Sequence, residues 1–194
     1  MKKQQFTSAP TVEQLEAEIK RVNHKKRYHT VLKSTIYTLI TVAAIAVLVA
    51  TLWLPVLQIY GSSMYPTLQD GEIIFSVKTG NFEPDDIVAF YLNKKIIIKR
   101  VIAGPGDWVN IDQDGTVSVN GEVLEEPYLV EKAYGDTDIE LPYQVPDGKI
   151  FVMGDHRTTS VDSRNTTVGC VAQEQVVGKI LFRVWPLDQI GIVD

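Results

Sequence analysis

The chain has 194 residues, enough for a short anchor and one domain of ordinary size, with 19 Lys and Arg against 24 Asp and Glu for a net charge of −5. Residues 1–33 hold eight basic and three acidic side chains, about +5, so the remainder carries about −10. So acidic a remainder argues against a nucleic-acid partner, which would require a basic face.

Pro10 to Arg27 reads as a helix, with Pro10 near its start and Val12, Leu15, Ile19 and Val22 at three- and four-residue spacing. Lys33 and Asp70 bracket a stretch with no charged residue, and Ile36 to Leu54 is nearly all apolar. Nineteen residues at about 1.5 Å each span about 28 Å, enough to cross a hydrocarbon core. Lys20, Arg21, Lys25, Lys26, Arg27 and Lys33 precede the run, so the positive-inside rule puts residues 1–33 in the cytosol and the rest outside. Trp53 and Tyr60 suit the outer interface. A polar lead of about 33 residues is too long for a cleavable signal peptide. Ala44-Ile45-Ala46 has small-residue spacing but lies mid-span, so residues 34–56 are expected to be a retained anchor.

From Leu57 onward the pattern turns to strands, at Glu72–Val77, Ile87–Leu92, Lys95–Ala103, Trp108–Ile111 and Thr116–Val119. Glu122–Leu124, Lys149–Met153 and Lys179–Val184 continue it, and Asp114-Gly115 and Asn120-Gly121 are tight-turn signals. Residues 57–194 are therefore expected to be mainly β. Within them 107–146, punctuated by Pro127, Gly135, Pro142 and Pro146, reads as a small β insertion or cap. Cys170, the single cysteine, excludes an intrachain disulfide; between Gly169 and Val171 it reads as a small buried hydrophobe. Clustered Cys and His ligands for zinc are lacking.

Ser63, in Gly61-Ser62-Ser63-Met64-Tyr65-Pro66-Thr67-Leu68, follows the apolar run by nine residues, at most roughly 30 Å of extended chain. A serine hydroxyl needs a base. His24 and His29 fall on the cytosolic side, which leaves His156, the carboxylates and the lysines. In Ile96-Ile97-Ile98-Lys99-Arg100, strand alternation forces either Lys99 or Arg100 onto an apolar surface unless the strand lies at an edge. Burial lowers a lysine pKa toward that of a neutral-pH base, whereas arginine stays protonated. On spacing alone, a lysine laying its stem over apolar surface is the simpler reading, and Ser63 fits a polar turn with φ fixed by Pro66. A third segment, Gly154-Asp155-His156-Arg157-Thr158-Thr159-Ser160-Val161-Asp162-Ser163-Arg164, follows the strand at 150–153, and Asp162 with Arg164 suits an ion pair bracing a site.

These three segments, in this order and spacing behind one N-terminal anchor, resemble the conserved boxes of bacterial type I signal peptidases of the smaller, Gram-positive-like kind. The second box runs on from Lys99-Arg100 as Val101-Ile102-Ala103-Gly104-Pro105-Gly106-Asp107, and the similarity covers roughly Leu54 to Pro186. The resemblance implies a signal-peptidase-like β catalytic domain with Ser63 as acylating nucleophile and Lys99 as general base. It implies that Ser160 orients Lys99, that Asp162 and Arg164 support the site, and that the Ser63 N–H is an oxyanion donor. Gly61 stands where some members carry a serine that supplies the second donor, so that donor is unassigned. His156 stands where the family usually has Asn and keeps a Ser63–His156 arrangement as the alternative.

The same resemblance implies signal peptides of exported preproteins as substrates, cut after small residues by a plasma-membrane enzyme in contact with the lipid bilayer. Leu57, Ile59, Met64, Leu68, Ile97 and Ile98 would line the pockets, and the strand before Ser63 would pair with the extended substrate. No metal or organic cofactor is implied. The rival from another class is a catalytically silent accessory protein of surface-fibre (pilus) assembly. A self-cleaving Ser–Lys repressor-type protease is disfavoured by the transmembrane run.

Overall fold

The computed structural model describes residues 11–53 and 55–193. Pro10 as a helix start and Leu54 as the end of the apolar run lie outside the described residues, as does the side chain of Trp53, expected at the interface.

Residues 12–53 contain neither Gly nor Pro, and they form one continuous helix, α1 (Val12–Trp53). The sequence pattern suggests a polar helix ending at Arg27 and a separate span over 34–56. The structure joins them, because nothing between Tyr28 and Ser34 interrupts the i→i−4 ladder. Thr11 opens the helix: the Leu15 N–H donates to its carbonyl, and its own N–H donates to Gln14 Oε1, half of a capping box. The far end falls short of residue 56. Pro55 has no N–H to continue the ladder, and Val56 already lies in a strand. Among the described residues α1 is the one helix long and apolar enough to cross a membrane. Within it the hydroxyls of Thr38 and Thr41 donate to the carbonyls of Ser34 and Tyr37, so these polar groups need no water.

The rest is mainly β, as expected. An eight-stranded antiparallel sheet contains β1 (Val56–Gln58), β2 (Ile73–Val77), β3 (Ile87–Leu92) and β4 (Lys95–Ala103). A four-stranded sheet contains β5 (Trp108–Ile111), β6 (Val117–Val119), β7 (Glu122–Val123) and β8 (Tyr143–Gln144). The chain then returns to the large sheet with β9 (Lys149–Met153), β10 (Val171–Ala172), β11 (Val176–Trp185) and β12 (Gly191–Ile192). The strand orders are β1-β2-β11-β3-β4-β9-β10, with β12 on β11, and β7-β6-β5-β8. Hairpin turns at Asn93-Lys94 and Asn120-Gly121 put both central residues at positive φ, as the twist of a two-residue hairpin demands.

The small sheet shares its core with the large one. Val109, Ile111, Val117 and Val145 pack in one buried cluster with Ile102, Ala103, Phe151 and Met153 of β4 and β9. A second feature positions the site. β4 pairs with β3 along Lys95–Arg100 but meets β9 only from Arg100 onward, so among the described residues its first half has one free edge. Among the described residues β1 likewise pairs on one side only, with β2.

Candidate active site

Ser63 lies between β1 and β2, on a turn closed by the Tyr65 N–H to Ser62 O (3.0 Å) and the Leu68 N–H to Met64 O (2.9 Å). Met64 and Leu68 plug into the core and hold the turn down. Ser63 is left half-buried, and its Oγ lies 2.7 Å from Lys99 Nζ. Lys99 is 2 % exposed, and burial pulls its pKa from the ordinary 10.5 down to about 8. The charges of Asp162 and Asp155 work against that fall and that of Arg164 with it.

Strand alternation requires only one of Lys99 and Arg100 to be buried; the structure buries both, because β4 turns from an edge into an interior strand at this point. Arg100 points away from the serine. Its Nε and Nη2 donate to Asp155 at 3.0 and 2.9 Å, its Nη1 donates to Asp85 O, and it lies 3.9 Å over the Tyr128 ring.

The segment after β9 supplies the support. The Asp162 carboxylate accepts from the Gly154 N–H (3.0 Å), Ser160 Oγ (2.7 Å), and Arg164 Nε and Nη2 (2.8 and 2.9 Å). Burial pushes the Asp162 carboxyl up, but these donors outweigh it and hold the group below the usual range. The Ser160 hydroxyl donates to Asp162, which leaves its lone pairs as acceptors. Gly154 is required by space: a Cβ there would collide with the Ser160 hydroxyl and the Ser63 carbonyl. Arg164 also donates to the carbonyls of Tyr134, Ala133 and Arg157, tying the insertion to the site.

Sequence reasoning missed most of this bracing. Arg100, Arg157 and Arg164 are the three largest fully buried side chains among the described residues. Arg157 pairs with fully buried Glu126 of the insertion and donates to Gly154 O. Three arginines in the motif segments, opposite an acidic 123–146, was the available signal.

A groove of about 640 Å³ runs from Ser63 between the two free strand edges. Val56 to Gly61 and Lys95 to Lys99 line its sides, with Met64 and Val161 completing it. Of the expected pocket residues Leu57, Ile59, Met64, Ile97 and Ile98 are on its wall. Leu68 is not; it is fully buried, because the turn that presents Ser63 directs it into the core. Val161, exposed beside Ser160, is a wall residue the sequence did not suggest. His156 does not address the Ser63 hydroxyl: its Nδ1 lies 3.3 Å from Ser62 O, and its N–H donates to Ser63 O at 3.1 Å. Cys170 is half-buried against the shared core, where burial pushes its thiol up, away from reactivity. Among the described residues no cluster of three or more His, Cys, Asp or Glu is arranged to hold a metal ion.

A buried amine against a serine hydroxyl, in an apolar groove flanked by free strand edges, can drive acyl transfer on an extended peptide. Residues 32–185 match the family model described as Signal peptidase, peptidase S26. Signal peptidase I of Bacillus licheniformis is 40% identical over 150 residues, 69% of this chain and 78% of that protein. Signal peptidase IB of Staphylococcus aureus (strain Mu50) is 40% identical over 151 residues, 68% of this chain and 78% of that protein. A solved structure of a signal peptidase I from Enterococcus faecalis V583 is 32% identical, covering 51% of this chain and 96% of that one at a TM-score of 0.45.

Proposed function

The chain belongs to the signal peptidase family of peptidase S26, and from this we propose that it is a membrane-anchored serine endopeptidase that cleaves signal peptides from exported preproteins. The observation that carries the reading is the 2.7 Å approach of Lys99 Nζ to Ser63 Oγ inside an apolar groove.

In the proposed mechanism neutral Lys99 accepts the Ser63 proton as Oγ attacks the carbonyl carbon of the scissile bond. The tetrahedral oxyanion is met by the Ser63 N–H. The Lys99 ammonium returns the proton to the leaving amine, the C–N bond breaks, and an acyl-enzyme remains. Water gives a proton to Lys99, its oxygen attacks the ester, and Ser63 departs with that proton. Asp162 and Arg164 hold the loop on which this depends, with Ser160 bonded to them.

The substrate enters as an extended strand against the free edges of β1 and β4. Its residues one and three before the cut share a face, so both meet the wall formed by Ile59, Met64, Ile97 and Ile98. Already filled by branched side chains, that wall admits small groups and rejects large ones by overlap. The α1 segment anchors the protein in the bilayer. The basic residues 20–33 place its N-terminus in the cytosol and residues 57–194 at the outer face of the plasma membrane, with 107–146 as an insertion that braces the site. A silent accessory role in fibre assembly finds no support among the relatives, whose names are those of signal peptidases.

The test is cleavage of a preprotein in detergent. Wild type cuts it at the signal-peptide junction, and Ser63→Ala and Lys99→Ala leave it intact. A folded wild-type enzyme that leaves preproteins uncut would overturn the reading.

A further inference from the structure

We infer that His156 is a positioning residue whose imidazole fixes the direction of the Ser63 N–H, the donor that meets the oxyanion. The inference rests on the peptidase reading above and adds a residue to its machinery. Ser62 C=O and Ser63 N–H belong to one peptide unit. That bond is not among the cis peptides, so carbonyl and N–H point in opposite directions from a rigid plane. Whatever pins the carbonyl therefore aims the N–H.

Two groups pin it. The Tyr65 N–H donates to Ser62 O at 3.0 Å, and His156 Nδ1 lies 3.3 Å from the same atom. The next carbonyl, of Ser63, accepts the backbone N–H of His156 at 3.1 Å, which seats the ring beside the nucleophile's backbone in every variant at this position. The imidazole is itself located by the Tyr65 ring, whose centroid is 6.1 Å away. Because a carbonyl only accepts, Nδ1 carries hydrogen in this contact.

This gives His156 a role distinct from that of a base. Loss of the imidazole leaves Ser63, Lys99 and the Tyr65 N–H contact in place but removes one of the two groups that pin the Ser62 carbonyl, loosening the Ser62–Ser63 peptide. An oxyanion donor acts on the transition state and not on the bound substrate, so the loss falls on kcat. Asn offers an N–H of similar reach and should replace it.

The experiment measures kcat and KM of the full-length enzyme on a preprotein for wild type, Ser63→Ala, His156→Ala and His156→Asn, with thermal midpoints alongside. The expected result for His156→Ala is an unchanged midpoint, an unchanged KM and a fall in kcat of about tenfold, part of what loss of an oxyanion donor costs. His156→Asn should restore kcat to within about twofold of wild type. Full activity in His156→Ala, with Ser63→Ala inactive, overturns the inference and leaves the peptidase reading standing. A rise in KM alone overturns it too, as does a kcat loss that Asn fails to rescue. If His156→Ala does not fold, His156→Asn at wild-type kcat supports the inference and a folded, slow His156→Asn overturns it. An inactive wild type overturns both together.

Discussion

Lys99 and Arg100 are consecutive on β4 and equally buried, each 2 % exposed, yet their surroundings are opposite. Arg100 has a carboxylate in bidentate contact, a carbonyl and an aromatic face. Lys99 has a hydroxyl, and among the described residues no carboxylate lies within ion-pair distance of its Nζ. On one side of the strand the fold neutralises a buried cation; on the other it leaves the cation to lose its proton. The difference lies in the strand. From Arg100 onward β4 is interior, with the insertion and the Asp155 loop packed against it, whereas Lys95–Lys99 borders the open groove. On the proposed reading the structural cation is compensated by a contacting carboxylate, and the base is desolvated with none in contact.

The largest expected effect breaks the Lys99 side. Lys99→Arg keeps size and charge but cannot lose a proton at working pH, and it should lower kcat by about 10³-fold. Arg100→Lys should leave the pH dependence where it was and lower the thermal midpoint, since one ammonium cannot reproduce the bidentate contact. Equal losses of activity in the two variants would erase the contrast.

Next is the Arg100 side. Asp155→Asn strands a buried guanidinium and should cost about 3–5 kcal/mol in a denaturant titration. A cost below about 1 kcal/mol would mean that water reaches the pair.

The smallest effect has the opposite sign. With its folded pKa depressed from 10.5 to about 8, Lys99 must be charged in the folded state below pH 8, at a cost in stability. That cost is complete below pH 8 and is relieved as pH rises toward 10.5, where the unfolded chain also loses its proton. Lys99→Met should therefore stabilise the protein at pH 7 by on the order of 3 kcal/mol, and the gain should vanish by about pH 11. Urea titrations of both proteins at the two pH values check it.

Much of this frame was legible in the sequence, for identifiable reasons. β3, β4, β5 and β9 leave four to nine residues of apolar pattern bounded by turn signals, and their limits read off directly. The strands β1, β8, β10 and β12, of two or three residues, are too short to carry a period, and β11 runs past its apolar centre through register shifts at both ends. Continuity of α1 across the Tyr28–Ser34 stretch required attention to the missing breakers rather than to the change in polarity. The three segments holding Ser63, Lys99 and Asp162 were visible as motifs. Their bracing was not, because Glu126, Tyr128 and the carbonyls at 133–134 sit in an irregular stretch with no period to read. Nor could spacing show that Leu68 faces inward, since a compact turn replaces strand alternation around Ser63.

The central claim, that Lys99 is a neutral base because it is buried without a carboxylate in contact, is tested most directly by the pH dependence of kcat/KM. The account predicts an acidic limb with an apparent pKa of about 8, present unchanged in His156→Asn. A limb that disappears in His156→Asn would hand the base to the imidazole. A limb near the ordinary lysine value of 10.5 would mean that burial does not set the chemistry of this site.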